Sequence, residues 1–380
     1  MNHASSVATQ LALSLFATNT MAQVAFTAKS ALTTGNAPRA VALGDFKNNH
    51  VLGLAIANAS DGTVSIFQGI GDGTFGPKTD YTTGMGSTSV VVGDFRNSGL
   101  SDLAVVNENG DSITILLNNG GGLGTFTHGT TITLDPSSST NSIAVGDFDG
   151  DHNLDLAVAS GNNNNVAVFL GNGNGTFQAQ ATFPTGAAPT GIVVADFNGD
   201  NADDIAVANN GSFTITVLLG DGTGTAFAAT NYSAYAPHGF PHAKSLAVGD
   251  FNHDGHPDLA VAFSSVSFAT VLLNNGNGTF KPPVAYATNS APSGGISVGD
   301  IAHDGKLALL IPNGSILSVL AGNGDGTFRP EVLLNTGLTS PNAIVVGALS
   351  GSKHMDLAIP SDGGVAAILI DDIVFADGFQ

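Results

Sequence analysis

The sequence predicts an all-β protein, a seven-bladed β-propeller of four-stranded antiparallel blades closed by its N-terminal strand. Three observations carry that expectation: a repeat of propeller length, period-2 alternation inside each repeat, and a composition suited to strands and tight turns. The chain has 50 Gly among 380 residues and only ten Lys plus Arg. The side chains that usually coat helix surfaces are therefore scarce.

The repeat is clearest in three segments. NSIAVGDFDGDHNLDLAVAS begins at Asn141, TGIVVADFNGDNADDIAVAN at Thr190 and KSLAVGDFNHDGHPDLAVAF at Lys244. Looser copies begin at Arg39, Thr88, Gly294 and Asn342. The equivalent residues Asp45, Asp94, Asp147, Asp196, Asp250, Asp300 and Ala348 are 49, 53, 49, 54, 50 and 48 residues apart. Seven units of that length are what a ring of blades requires.

Within the third unit, Ile143 and Val145, Leu156 and Val158, and Val166, Val168 and Leu170 alternate with small residues between Gly, Asn and Asp. Such runs are strand signals. A second phrase closes the units: GDGTF at Gly71, GLGTF at Gly122, GNGTF at Gly173 and Gly276, GDGTF at Gly324, and the looser GDGTGTAF at Gly220. Asn-Gly and Asp-Gly suit hairpin turns. A fourth strand is expected after it, as at Gln178 to Phe183. The seventh unit stops after Ile370 without this phrase, and Gln23-Val24-Ala25-Phe26-Thr27 resembles the missing piece. A ring closed in this way leaves no raw sheet edge.

Residues 1–22 are expected to be a secretory signal, with an apolar run from Val7 to Ala17 and small residues around Thr20-Met21-Ala22. One propeller then spans 23–372, with blades at about 37–85, 86–135, 139–186, 187–235, 241–290, 292–337 and 340–372 plus 23–35, before a tail at 373–380. The expected location is secreted, periplasmic or cell-surface. No later run is long and apolar enough to span a membrane.

The net charge of −20 argues against nucleic acid, since phosphates need clustered Lys and Arg. The absence of Cys excludes thiolate and disulfide chemistry. An apolar fraction of 42% is ample for a core, and the chain is expected to be a monomer.

The acidic residues fall in register. Loop positions 1, 3, 5 and 9 hold Asp147, Asp149, Asp151 and Asp155 in the third unit. They hold Asp196, Asn198, Asp200 and Asp204 in the fourth, and Asp250, Asn252, Asp254 and Asp258 in the fifth. Alternate oxygen donors around a tight bend select a hard cation, and calcium is expected at about three sites. The carbonyl at position 7, from Asn153, Ala202 or His256, is a further expected donor. Position 6 needs a residue that tolerates left-handed backbone; Gly255 suits it, Asn201 is acceptable and His152 less comfortable. The loop is not an EF-hand, because its twelfth position is Val158, Val207 or Val261. Asp300 and Asp304 of the sixth unit form a weaker candidate, flanked by Ala302 and Ala308. Asp94 and Asp102 of the second enclose Arg96 in place of a cation, and the first and seventh units have lost the set.

With GDFxxDGxxDLAV and GNGxGTF in hand, the chain resembles the FG-GAP/VCBS repeat family, which includes the α-integrin propeller and many bacterial secreted proteins. The resemblance covers about residues 24 to 370 and implies the propeller and its calcium, but no particular activity. Family members serve in adhesion and as lectin-like binders, and some polysaccharide lyases use related propellers.

Signatures of catalysis are thin. No GxSxG, HExxH or phosphate-cradling loop occurs. The function expected is binding or adhesion, with a glycan or a surface or matrix protein as partner. The alternative is a lyase or hydrolase with its site in the central channel, which needs Tyr, His, Lys or Arg at the channel mouth. One irregular segment, Tyr232 to His242, gathers Tyr232, Tyr235, His238, Phe240 and His242 and is the expected ligand contact. The lack of Trp argues against the usual stacking platform for sugars.

Overall fold

Short apolar runs cut by Gly, Asn and Asp cannot form long elements, and each repeat folds as a meander of four antiparallel strands. The computed structural model describes residues 26–235, 241–351 and 355–371. In the third blade, Thr140–Gly146, Asp155–Ser160, Asn165–Phe169 and Ala181–Pro184 pair in that order. Five other blades repeat this pattern with consecutive strands. The seventh blade is composite. Its outer strand is Phe26–Thr33, which joins Val345–Gly347, Asp356–Ser361 and Val365–Asp371. Phe26 lies opposite Asp371 and Thr33 opposite Val365, so the N-terminal strand closes the ring. Residues 23–25 lie outside the described residues.

The fourth strand starts later than expected, at Ala181 rather than Gln178. Phe177 forms an isolated bridge with Gly171, and its ring is used at the junction between blades. The first strands of neighbouring blades touch all the way round, the last returning to the first, so they line the axis. The second strands are buried on both faces. Their alternation has a simple reason. Leu156 and Val158 face the second blade, while Ala157 and Ala159 face the fourth. Large side chains on one face and Ala on the other keep adjacent sheets close near a crowded axis.

Among the described residues the core divides into seven clusters, one for each junction. At five junctions the Phe of GDF meets the Phe of the next blade's closing turn edge to face. The pairs are Phe46–Phe126, Phe95–Phe177, Phe148–Phe227, Phe197–Phe280 and Phe251–Phe328, with centroids 5.4 to 5.9 Å apart. At the last two junctions Ile301 shares a cluster with Phe26, and Leu349 shares one with Phe75. Backbone bonds run beside the rings: the amides of Gly175, Gly278 and Gly326 donate to the carbonyls of Phe95, Phe197 and Phe251 at 2.8, 2.8 and 2.9 Å.

Phe197 is 1% exposed. Phe197→Ala is expected to cost about 3–5 kcal/mol, the range for emptying a buried aromatic site. Chemical denaturation checks this, and a loss below about 1 kcal/mol would show that the junction does not depend on the pair.

Candidate metal centres

The loop joining the first and second strands is bent by two left-handed residues, at positions 4 and 6, in each of the first six blades. Position 6 is His50, Gly99, His152, Asn201, Gly255 and Gly305 in the first six blades, with φ from 51° to 85° across the two positions. His152 takes φ 67° there, and Asn201 the same. His253 and His303 occupy position 4, at φ 58° and 52°. His50, His152, His253 and His303 thus stand where the backbone admits His, Asn or Gly. His354 lies outside the described residues.

These bends turn the odd-numbered side chains inward. Asp147 accepts the amides of Gly150 and His152 at 2.8 and 3.0 Å. Asp196 accepts those of Gly199 and Asn201 at 2.7 and 2.8 Å, and Asp250 that of Gly255 at 3.0 Å. Asp149, Asn198 and Asn252 accept the amide at position 5. Asp151, Asp200 and Asp254 accept the amides of Asn153, Ala202 and His256 at 2.8, 2.9 and 3.0 Å. In the third blade, oxygens of Asp147, Asp149 and Asp151 lie within 4.8 Å of one another. Burial, with the Asp151 charge adding to it, raises the Asp149 carboxyl, while the Asn153 amide lowers that of Asp151.

Position 9 is different, being wholly buried at Asp155, Asp204 and Asp258. Asp155 accepts the amides of Phe148 and Gly171, both at 2.7 Å. Asp204 accepts those of Phe197 and Gly220, and Asp258 those of Phe251 and Asn274. Burial pushes Asp155 up to about 7, and Asp204 and Asp258 up to about 6, against the pull of these amides. The charges at positions 1 and 3 of the third blade, and 1 and 5 of the other two, act in the same upward direction.

Donors that are all oxygen, converging and mutually repulsive, fit a hard divalent cation. Among the described residues no Lys or Arg forms an ion pair with any carboxylate of these three loops. The second and sixth loops carry their own cations. Arg96 donates from Nε and Nη2 to buried Asp102 at 3.0 and 2.7 Å, and from Nη2 to the Asn118 carbonyl at 2.7 Å. That bonding to Asp102 raises the guanidinium further. Lys306 lies 3.4 Å from Asp304, which with Asp300 accepts loop amides in the sixth blade. Asp203 had no role in the repeat pattern, yet it accepts the Asp147 amide across a junction at 2.8 Å.

The irregular segment is shorter than its sequence implied. Tyr232 belongs to the fourth strand Phe227–Ser233, and its hydroxyl donates to the Gly278 carbonyl at 3.1 Å. Tyr286 bonds Gly326 in the same way, so Tyr232 is a repeated junction residue as well as part of the segment. Tyr235 lies on Phe268, with centroids 4.6 Å apart. His242 donates from Nδ1 to Asn210 O at 3.0 Å and packs edge-on against Phe213. His238 and Phe240 lie outside the described residues. At the starts of the first strands, Lys244 donates from Nζ to Ser293 O, and Arg39 stands 3.6 Å from Asp362. Burial lowers the Lys244 ammonium, and Arg39 adds to that.

The sequence model of the FG-GAP-like repeat matches residues 96–158, 153–207, 196–261 and 250–311. No curated protein matches the chain. Similar solved structures include BBS1N in complex with ARL6DN, at TM-score 0.64 and 12% identity, over 93% of this chain and 98% of that one. An Agrocybe aegerita lectin that recognises non-reducing terminal N-acetylglucosamine aligns at TM-score 0.59 and 18% identity, over 87% and 86%. A catalytically inactive virginiamycin B lyase from Staphylococcus aureus with quinupristin aligns at 0.60 and 12%, over 92% and 99%. Identities this low establish a shared fold.

Two outcomes follow from the loop electrostatics. Arg96→Ala is expected to cost about 2–3 kcal/mol by leaving a buried carboxylate unpaired, and denaturation would read it; an unchanged midpoint would refute the assignment. Asp155, Asp204 and Asp258 have folded values above their ordinary ones. Their contribution is therefore present in full below about pH 4 and lost as pH rises through about 6 to 7. In chelator, the melting temperature should fall between pH 5 and 8, and a rising profile would contradict the placement.

Proposed function

The chain belongs to the FG-GAP-like repeat family, and on that premise we propose that it is a secreted, calcium-loaded binding module for a glycan or a cell-surface or matrix protein. One observation carries the calcium part. The carboxylates of the third loop converge, the fourth and fifth repeat its ligand positions, and among the described residues no Lys or Arg pairs with any of the three, whereas Arg96 and Lys306 serve the second and sixth. Each ion would be held by positions 1, 3, 5 and 9 and by the position 7 carbonyl. In these loops calcium supplies counter-charge and stiffness, not chemistry. Extracellular sites bind calcium at roughly 0.1 mM or weaker, so about 2 mM calcium adds about 1.8 kcal/mol per site at the tight end of that range.

The binding part draws on the fold, which the Agrocybe aegerita lectin shares, and on the irregular connector between the fourth and fifth blades. Antiparallel meandering puts that connector on the face opposite the metal loops, where an ion site does not compete with a ligand. The enzyme alternative draws on Arg39 and Lys244 near the axis and on the fold shared with the virginiamycin B lyase. It is the weaker reading, because Lys244 is already bonded to Ser293 and Arg39 faces Asp362.

A thermal scan and a glycan and matrix-protein array, each run in 2 mM calcium and in chelator, test both parts. Calcium is expected to raise the melting temperature by several degrees, and Asp149→Ala together with Asp151→Ala to remove about a third of that rise. The array should give a hit. An unchanged melting temperature would overturn the calcium sites. A blank array together with turnover of a polysaccharide would favour the channel enzyme.

A further inference from the structure

Loop position 8 directly precedes the buried position 9, and in three blades it is a leucine: Leu52, Leu154 and Leu307. Each packs on the glycine that ends the first strand of the preceding blade. A Cβ on Gly93 would lie 2.9 Å from Leu154 Cδ1, one on Gly249 2.6 Å from Leu307 Cδ1, and one on Gly347 3.5 Å from Leu52 Cδ1. The second, fifth and seventh blades place Ser101, Pro257 and Met355 at this position. The fourth places Asp203, the one charged residue at position 8 in the seven loops. Asp203 takes the leucine's seat. Its Oδ2 would lie 2.8 Å from a Cβ on Gly146, and it accepts the Asp147 amide at 2.8 Å.

That exchange is unfavourable by itself. A half-buried carboxylate loses hydration, and among the described residues this one receives a single backbone donor. The charges of Asp147 and Asp196, position 1 of the third and fourth loops, both bear against it. A leucine would fill the seat without either penalty. The carboxylate has a different use, because it stands between two loops whose oxygens fit a hard cation. Its bond holds the third loop at the first ligand position. Its own backbone lies between Ala202 and Asp204, a carbonyl and a carboxylate of the fourth ligand set. An ion in the fourth loop fixes both of these neighbours, and with them the side chain that bonds Asp147. We infer that Asp203 couples the third and fourth loops, so that calcium in either one raises the affinity of the other. Its negative charge also stands between two ions that would otherwise only repel each other. Linkage makes the effect reciprocal, each ion helping the other by the same factor. The fourth and fifth loops meet at Pro257, so they form the uncoupled comparison within the same ring.

The inference rests on the calcium reading and adds a dependence between two of its sites. The full chain would be titrated with calcium by isothermal titration calorimetry in two backgrounds. Asn252→Ala with Asp254→Ala leaves the third and fourth loops to bind, and Asp149→Ala with Asp151→Ala leaves the fourth and fifth. The third and fourth are expected to fill cooperatively, and the fourth and fifth independently. Removing the fourth by Asn198→Ala with Asp200→Ala should weaken the third about fivefold, the low end of common coupling factors. Asp203→Leu and Asp203→Ser bring in side chains that other blades carry at this position. Each should abolish the coupling, while in chelator the melting temperature of Asp203→Leu stays level or rises. A residue that only packs would do the reverse, lowering that temperature and leaving the calcium curves alone. That result, or coupling that persists in both variants, overturns the role of Asp203. Independent filling of the third and fourth loops with Asp203 in place overturns the coupling and spares the calcium sites. A chain that takes up no calcium sinks both.

Discussion

Each junction of the ring depends on a side chain at loop position 2 reaching out of its own blade into the next. At five junctions this is a Phe set edge-on against the Phe of the neighbour's closing turn. The acidic loops are a consequence of that contact. With Phe148 turned into the core, Asp147 and Asp149 on either side of it must turn the other way, toward the bend. The Phe148 amide then meets Asp155, which also receives the amide of Gly171 from the end of the third strand. One buried carboxylate thereby ties together the loop, the blade and the junction.

The first six loops share this backbone, and the blades solve its charge problem in different ways. A buried carboxylate is costly unless a positive partner or several donors satisfy it. The second blade supplies Arg96. The first and sixth dispense with the carboxylate, having Gly53 and Ala308 at position 9. The seventh keeps Asp356 and surrounds it with the amides of Leu349, Ser350 and Asp371. Among the described residues, the third, fourth and fifth blades hold acidic or amide oxygens at all four positions with no Lys or Arg paired to them, and there burial shows as carboxyls pushed up to about 6 or 7.

The opposite face is held by another device. The first strands of five blades carry a bulge at their second residue: Arg39, Thr88, Asn141, Thr190 and Lys244. Bulges re-aim side chains, and three of these bond the next blade. Thr88 donates to Thr140 O, Thr190 to Ala243 O and Lys244 to Ser293 O. In the last two blades Ser293 reaches Pro341 O, and Asn342 reaches Pro38 O. These bonds stitch the mouth of the channel, which leaves the longer connectors at the rim free to vary.

The blade count, the closing N-terminal strand and the register of the loop carboxylates were all legible in the sequence. Each depends on local periodicity repeated many times, and repetition makes a weak local signal decisive. The left-handed requirement at position 6 was legible too, because it follows from a turn that any chain must make. Other features were decided only by the assembled ring. Tyr232 read as part of a loop, but pairing across the sheet carries it into the fourth strand and against Gly278. Asp203 falls outside the repeated ligand positions and acquires its partner only when two blades meet. Phe213 was visible as a residue, and aligning the hairpins would have set it beside Gly62 and Asn164. Its left-handed backbone and its contact with His242 exist only in the folded blade. Sequence periodicity specifies what each blade does for itself; contacts between residues far apart in the chain are created by closure, and no local pattern encodes them.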